Sequence, residues 1–567
     1  MRKFTPWILC LVACSGCQAA QLLPIGRIQG IAHRSPYAGE IVEAQGIVTQ
    51  VDKNGFCFQS KSPDASPETS DAMYVYQKNT EVHLGNEVRV KGRVEEWTPG
   101  GEDSYNLSIT QIRAVAIRRI RSKAPLPKPV VLNYLMPDYP KIIKQPGSAY
   151  DPTINALDFW ESLELMRVVI MDASIVGPKS RYGEIAVRIP QGLAEPRTPR
   201  GGVKLTGYEF NPARILVALD PESELNYSTG DRLSTPIQGI ITYSFGNYKV
   251  TATSRPEPPY TSSIAAFSIS DPLPDSAFKL ATFNVENLYP ELPDEKFRAL
   301  GKIIAQSLQA PDIVALQEIQ DNSGPKNDGE IGADQALDKL IRFILEAGGP
   351  RYSYHQLNPE ENADGGWAGG NIRNAYLYKK ESMRLGKSYH LKNPVFDKNK
   401  DRDYYGTRKP LVGFFQNEDR QLILINCHLN SKGRDSSSFG ALLPAVRFSE
   451  PQRIAQTRVI RAHVDELRQK YPNAGVIVLG DMNDFEFSPA IQNLTGNQGL
   501  INLVNTVPLA NRYTYIHQGF SQVLDHILVS PDLAGKLATQ IVHVNADLSE
   551  ALRASDHDPI LAWFTNW

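Results

Sequence analysis

The stretch Gly475-Val-Ile-Val-Leu-Gly-Asp-Met-Asn-Asp484 sets Asp481 and Asn483 directly behind an apolar run. A continuous run such as Val476 to Leu479 suits a strand buried on both faces. A sheet holds side chains at such a tip rigidly, which turns a carboxylate and an amide into parts of an active site. The pattern recurs along the C-terminal half. The segment from Leu280 to Asn287 supplies Asn284, the segment from Asp312 supplies Glu318 at its end, and Leu422 to Asn430 supplies His428 and Asn430. The run Val523 to Val529 puts Asp525 inside an apolar strand, and Ser555-Asp-His-Asp-Pro559 supplies Asp556 and His557. Taken singly, a histidine is most often a satisfied core residue and an asparagine a turn cap. A carboxylate inside an apolar strand is harder to explain structurally, because an unpaired buried charge is costly. His526 should point away from Asp525, since strand neighbours alternate faces, and takes no catalytic role.

The elements that must position these groups alternate between strands and helices. Strands are expected at Phe278 to Phe283, Asp312 to Leu316, Ala375 to Tyr378, Leu422 to Cys427, Val476 to Leu479, Val523 to Val529 and Ile560 to Phe564. Helices are expected near Phe297 to Ser307, Ala336 to Ala347, Arg453 to Gln469 and from Ser488-Pro489, which makes residues 277–567 an α/β domain. Before it the texture is different. Residues 25–120 read as short strands with turn signals, a small closed barrel, with Ile41 to Val51 broken at Gly46 and separate strands at Ser104 to Ile109 and Ile112 to Ile117. A Pro-rich linker, Ala124 to Val130, leads to a second mostly-β region at 131–262 with one helix at Asn155 to Met166. There Gly230-Asp-Arg-Leu-Ser-Thr-Pro-Ile-Gln-Gly echoes Gly85-Asn-Glu-Val-Arg-Val-Lys-Gly, a weak internal repeat. Residues 254–276, rich in Ser and Pro, read as a linker.

A chain of 567 residues with 41% hydrophobic and 22% charged residues is a multidomain globular protein, of roughly two to four domains. Its net charge of -2 gives no global mark of nucleic-acid binding, although a local basic groove would suffice. The first residues, 1–20, read as an export signal: Arg2 and Lys3 precede an apolar core from Trp7 to Ala13, too short to span a bilayer. Leu11-Val-Ala-Cys14 resembles a bacterial lipobox, which would place a lipid on Cys14. Cleavage near Ala19-Ala20 would instead release the chain. Either route takes it out of a bacterial cytoplasm, to be secreted, periplasmic or held at the outer membrane or cell surface. Cys57 and Cys427, in strand-like runs, are expected to be buried free thiols.

The order Asn284, Gln317-Glu318, His428-Leu-Asn430, Gly480-Asp-Met-Asn483, Leu524-Asp-His526 and Ser555-Asp-His-Asp-Pro559 resembles the endonuclease/exonuclease/phosphatase superfamily. The layout is similar to secreted or surface bacterial nucleases that carry OB-like domains ahead of the catalytic half. The resemblance implies an α/β four-layer sandwich, two β-sheets flanked by helices, preceded by mostly-β OB-like domains. It implies hydrolysis of phosphodiesters with Mg²⁺, or Mn²⁺ or Ca²⁺ in its place, since Asn284, Glu318 and Asp556 would offer hard oxygen ligands. His428, Asp481, Asn483, Asp525 and His557 carry the family's catalytic positions: Asp481 for the attacking water, Asn483 and His428 for phosphate oxygens, and His557 polarised by Asp525. The general base stays open between them. Arg373, Asn374, Asn430 and Lys432 match substrate-phosphate contacts. The expected partner is nucleic acid, DNA first and RNA as the alternative, with no protein partner. The competing readings are a phosphoesterase acting on sphingolipid or inositol phosphates and a non-catalytic surface binding protein.

Overall fold

The computed structural model describes residues 21–133, 140, 142–147, 149–189, 196–208, 210–220, 223–233, 235–254, 257, 272–274, 276–402, 405–418 and 420–564. The export segment with Cys14 and most of the 254–276 linker lie outside the described residues. Among the described residues no helix is long and apolar enough to cross a membrane. The chain divides into two compact units: residues 1–98, 108–128 and 161–167 form one, and residues 99–107, 129–160 and 168–567 the other.

The first unit is a closed barrel of five strands, Ile41–Val51, Gly55–Gln59, Ala72–Tyr76, Glu87–Trp97 and Ile109–Arg121, in the order first, second, third, fifth, fourth. Alternation drives its closure. Val88, Val90 and Val94 of the fourth strand face inward with Val42, Ala44, Phe56, Phe58, Met73, Val75 and Ile112, while the charged residues between them face out. Two expectations need correction. The first strand runs unbroken through Gly46, which pairs with Val88. The two expected strands at Ser104 to Ile117 are one, Ile109–Arg121, and Glu102–Ser104 is a short 3-10 turn. There the side chains of Ser104 and Asn106 donate to the Pro99 carbonyl at 3.0 and 2.7 Å, and this local bonding competes with strand pairing.

In the second unit, the middle region forms a seven-stranded sheet rather than a repeat of the closed barrel. Its order is Val130–Leu132, Arg167–Ile170, Ile237–Ser244, Asn247–Ala252, Arg214–Ala218, Glu184–Arg188, Ser174–Gly177. The strand expected to echo the barrel begins only at Ile237, because Pro236 cannot donate to a ladder. The expected helix is Ala156–Glu161, about half the length read from the sequence.

The C-terminal half builds two six-stranded sheets. One is ordered Ser353–Gln356, Arg373–Tyr378, Ile313–Ile319, Lys279–Leu288, Ile560–Phe564, Leu537–Ile541. The other is ordered Arg384–His390, Leu411–Gln416, Gln421–His428, Gly475–Asp481, Asp525–Val529, Ile501–Asn502. Three apolar clusters explain the long apolar runs. Leu280, Ala315, Leu424, Ile477, Leu479, Ile527 and Ile560 fill the seam between the two sheets. Ala281, Phe283, Val314 and Leu316 pack outward against Phe297, Leu300, Leu337 and Leu340 of the helices Asp294–Lys302 and Asp334–Glu346. On the other sheet Ile423, Ile425, Val476 and Val478 pack outward against Ile460 and Val464 of helix Glu450–Lys470 and Ile491 of helix Pro489–Thr495. The central strands carry apolar residues on both faces along most of their length because they feed two cores in alternation. Ser488 caps the last of these helices, its hydroxyl accepting from the Ile491 N–H at 3.3 Å. Cys57 and Cys427 are buried and unpaired.

Gly480 is the joint between the buried strand and its polar tip. It has φ +126°, and a Cβ there would lie 2.0 Å from the Cys427 carbonyl oxygen. Gly480→Ala is expected to cost about 3 kcal/mol in a thermal melt and to displace Asp481, whereas Gly433→Ala should stay within about 0.5 kcal/mol. The added Cβ at Gly433 meets nothing closer than 3.9 Å.

Candidate active site

Three neighbouring strand ends place His428, Asp481 and Asp525 side by side, with His428 opposite Asp481 and Asp481 opposite Asp525. Alternation decides where they point. Ile477 and Leu479 face the seam between the sheets, so Asp481 does too, as Asp525 follows Ile527 and His428 follows Leu424. The opposite sheet meets them with Asn284, carried to the seam by alternation with Leu280, and with Glu318, aimed there where the register breaks. Both strands are irregular at this level, between Asn284 and Leu288 and between Leu316 and Ile319. Glu318 takes a left-handed backbone, φ +66°, so Glu318 turns into the seam and Ile319 into the outer core. Bulges beside active sites re-aim side chains in this way, and the strain points to function.

The groups meet closely. The Asn284 amide donates to Glu318 Oε1 at 2.9 Å and to Asp481 Oδ2 at 3.1 Å, and the Asn287 N–H donates to Glu318 Oε2 at 2.9 Å. His428 Nε2 lies 3.5 Å from Asp481 Oδ2 and 3.8 Å from Glu318 Oε1. His557 Nδ1 bonds Asp525 Oδ2 at 2.7 Å, which leaves Nε2 facing Asp481 at 3.9 Å. The Asn483 N–H donates to Asp481 Oδ1 at 2.7 Å from a left-handed backbone, φ +51°, and its amide donates to the Leu429 carbonyl at 3.1 Å. Asp556 is half-buried, and after burial its charge is the largest cause raising the pKa of Glu318.

The two histidines are driven apart. Burial, then Arg408 and His557, push His428 well below its ordinary pKa. Burial also opposes a charge on His557, but Asp525 and Asp481 outweigh it and raise the imidazole well above its ordinary value. Burial raises Asp481 as well, against the pull of His557. A neutral imidazole and an imidazolium in one site form the kind of split that assigns acid and base roles.

Several expected contacts are not in this centre. Arg373 is fully buried and spends its guanidinium on the carbonyls of Asn371 and Ile331 and the side chains of Gln356 and Asn358, so it ties loops together. Asn374 is buried and donates to the Asn426 carbonyl at 3.1 Å. Asn430 is turned to the Ser449 carbonyl at 3.4 Å, at the start of helix Glu450–Lys470. Lys432 pairs with Asp484 at 3.0 Å and lies over the Phe485 ring at 3.9 Å, with burial lowering its pKa. Arg453 takes the other oxygen of Asp484 at 2.7 Å, which makes a buried structural ion pair. Arg373, Asn374 and Asn430 serve backbone carbonyls that need partners away from water, and Lys432 and Arg453 serve the buried Asp484. Asp558, next to His557 in the chain, accepts from the N–H groups of Val544, Asn545 and Ala546 and from His543. His526 points away from Asp525 as expected, to the Asp484 carbonyl at 2.9 Å.

Other residues escaped the sequence reading. Arg408 is buried, donates to the Leu429 carbonyl at 2.7 Å, and bears electrostatically on His428, Glu318 and Asp481. The Tyr515 ring lies 4.8 Å from His557. Ser555 ties the loop carrying His557 to strand Lys279–Leu288 by donating to the Asn284 carbonyl at 2.7 Å and accepting from the His557 N–H at 3.1 Å. Of these only Ser555 carried a signal, its place in Ser555-Asp-His-Asp-Pro559. Arg408 and Tyr515 sit in segments with no motif.

The centre fits a hard divalent cation. Oxygens of Glu318 and Asp481 converge on one amide nitrogen, and burial makes their charges costly without a cation. One expected ligand is placed differently. Asn284 aims its amide nitrogen at the acids while its oxygen accepts from the Glu286 N–H at 3.0 Å, so it orients the carboxylates.

Residues 281–557 match the Endonuclease/Exonuclease/phosphatase family, and this part of the chain is a domain of that family, whose members hydrolyse phosphoester bonds. Residues 120–262 match a domain of unknown function, DUF8508. No curated protein matches the chain. Among solved structures, one similar chain is Danio rerio TDP2 complexed with a single-strand DNA product, at 18% identity and TM-score 0.35, covering 52% of this chain and 100% of that one. A second is an endonuclease/exonuclease/phosphatase from Bacteroides vulgatus, at 16% identity and TM-score 0.32, covering 51% and 98%. A third is the human Nocturnin catalytic domain with bound sulfate, at 16% identity and TM-score 0.34, covering 51% and 94%.

The His557–Asp525 pair makes a signed prediction for the metal-free protein. Because the folded-state pKa of His557 is raised, its contribution to stability is complete below the unfolded value of about 6.5 and fades as pH rises through the folded value. Asp525→Asn should bring the His557 pKa down in an imidazole NMR titration, and its stability deficit should shrink as pH rises above about 6.5. An unmoved His557 titration would show that Asp525 is not what holds the imidazolium.

Proposed function

We propose that the protein is a divalent-metal-dependent phosphodiesterase acting on nucleic acid, DNA first. The observation that carries this reading is the meeting of Glu318, Asp481, His428 and the His557–Asp525 pair in one buried seam. A bound Mg²⁺, or Mn²⁺ or Ca²⁺ in its place, would supply neutralising charge to phosphate oxygens, held by Glu318 with Asp556 and Asp481 beside it. The chain's own groups do the rest. Asn284 and the Asn287 N–H fix Glu318. Asp481, held by the Asn483 N–H, accepts a proton from the attacking water. His557, kept charged by Asp525, presents Nε2–H to a phosphate oxygen, and that bond strengthens as charge builds in the transition state. His428, kept neutral, presents Nε2 to the same space.

Support for nucleic acid over a small phosphoester comes from the first unit. Its five-stranded closed barrel is of the kind that OB folds use for oligonucleotides. Its last strand, Ile109–Arg121, carries Arg113, Arg118, Arg119 and Arg121 and no acidic residue. Export remains part of the proposal, resting on Arg2, Lys3, the apolar core Trp7 to Ala13, and Cys14. Intact mass of protein from a bacterial host would read a diacylglyceryl group on Cys14, cleavage near Ala20, or an unprocessed chain, the last of which overturns it.

The test is purified full-length protein on supercoiled plasmid, single-stranded RNA, sphingomyelin and an inositol polyphosphate, each with Mg²⁺ or EDTA. Plasmid cleavage abolished by EDTA is expected. Glu318→Gln should raise the metal requirement and cut turnover by about 10²-fold or more, and His557→Ala should lower kcat by about 10²–10³-fold with little change in KM. Turnover of the lipid or inositol substrate alone would move the protein to another branch of the same chemistry. Metal-independent turnover would overturn the proposal.

A further inference from the structure

The middle region, matched only as a domain of unknown function, reaches the catalytic centre by a route that sequence gives no hint of. Its short strand Val203–Lys204, outside the seven-stranded sheet, pairs in parallel with Phe520–Gln522, Val203 opposite Phe520 and Lys204 opposite Ser521. Phe520–Gln522 also pairs with Tyr515–His517 as a hairpin, so the three make one small sheet with one strand from the middle region and two from the catalytic domain. The Leu205 N–H donates to the Ser521 carbonyl at 2.9 Å. At the hairpin turn, Gly177 of the middle sheet packs on Gly519 so closely that a Cβ on Gly177 would lie 2.8 Å from the Gly519 Cα. The Arg214 guanidinium of the same sheet sits 4.9 Å from the Phe520 ring and 4.3 Å from that of Phe439.

The other arm of this hairpin leads directly to the reactive pair. Thr514 accepts the Asp525 N–H on its hydroxyl at 3.2 Å and the Asp558 N–H on its carbonyl at 2.8 Å, so one residue spans the backbone of both His557 and Asp525. Tyr515, next in sequence, lays its ring 4.8 Å from the His557 imidazole. A second tether runs to the loop after Asp484. The Lys204 side chain has no exposed surface, and its ammonium lies 3.4 Å from Glu486. A third joins the Thr229 N–H to the Asp547 carbonyl at 2.8 Å, while Asp547 accepts from the Tyr513 hydroxyl at 2.7 Å just before Thr514.

We propose that the middle domain is a positioning element of the catalytic centre: its Val203–Leu205 edge completes the 515–522 hairpin and through it fixes His557 against Asp525. The domain thereby acquires a role in the reaction without contributing a group that touches substrate. This inference rests on the phosphodiesterase reading. A peptide bond held in a sheet between two domains is a rigid link, and a misplacement of about 1 Å at a reacting group costs on the order of 10²-fold in rate.

The test uses the full chain with two disruptive variants and one control, none of them in the reactive set. Leu205→Pro removes the N–H that reaches Ser521, and Gly177→Val wedges the turn at Gly519. Leu205→Val keeps both the N–H and the apolar contact. Three readouts are taken: amide exchange over 515–522, the NMR signal of the His557 Nδ1 proton shared with Asp525, and steady-state kinetics on bis(4-nitrophenyl) phosphate with Mg²⁺. Both disruptive variants should exchange faster in the hairpin, lose or shift the His557 proton signal, and lower kcat by about ten- to a hundredfold while KM stays within about twofold. Leu205→Val should match wild type. Faster hairpin exchange with an unmoved His557 signal overturns the inference, as does unchanged kcat in both variants. If Leu205→Pro does not fold, Gly177→Val carries the same three readouts. An inactive wild type would sink the phosphodiesterase reading alone, because exchange and the His557 signal still decide whether the domain positions the pair.

Discussion

The catalytic half is governed by one constraint: strands buried on both faces must alternate their side chains between two cores. Ile477 and Leu479 go to the seam between the sheets, Val476 and Val478 to the helices outside. When such a strand ends in a polar residue on the seam side, that residue is carried into the interior with no choice of direction. Gln421–His428, Gly475–Asp481 and Asp525–Val529 all end this way at one level, so His428, Asp481 and Asp525 become cross-strand neighbours. Burial of the carboxylates is offset by His557 and the Asn284 amide, while Asp525 and Glu318 each add repulsion at Asp481. The concentration of charge that makes the seam costly to fold is the same feature that suits it to a cation and a phosphate.

The surrounding polar groups serve to hold that seam. Asp484 is fully buried, yet Lys432 and Arg453 keep its pKa below the ordinary range against the effect of burial. Such a pair adds little net stability, since desolvation consumes most of the attraction, but removing one partner is expensive. Its effect here is geometric. It binds the loop after His428, the loop after Asp481 and the start of helix Glu450–Lys470 to one point. Asp558 does the same for residues 544–546, and Ser555 links the backbone of His557 to that of Asn284.

The two histidines show how position sets chemistry. Burial, with Arg408 nearby, makes His428 lose its proton readily, whereas His557, equally buried, bonds Asp525 at 2.7 Å and keeps it. Identical side chains a few ångströms from the same carboxylate therefore differ in charge. The field of their neighbours decides the difference, and those neighbours come from strands far apart in the chain.

By itself the sequence determined which elements form and which polar residues they end in. Apolar runs and their length determine the central strands, and the two-residue period determines that His526 points away from Asp525. Local chemistry reaches that far because alternation and helix capping are near-neighbour effects. Only the tertiary structure decided that Glu318 joins Asn284, because the left-handed turn that aims it is imposed by the mismatch of adjoining strands. Only it decided that Arg373, Asn430 and Lys432 are spent on loops and a buried ion pair, since an arginine or lysine looks alike in sequence whether its partner is a phosphate or a distant carbonyl. It alone brought Arg408 and Tyr515 to the histidines and Val203 to Phe520, contacts whose partners no local pattern can encode because they are made by chain closure beyond the range of neighbouring residues.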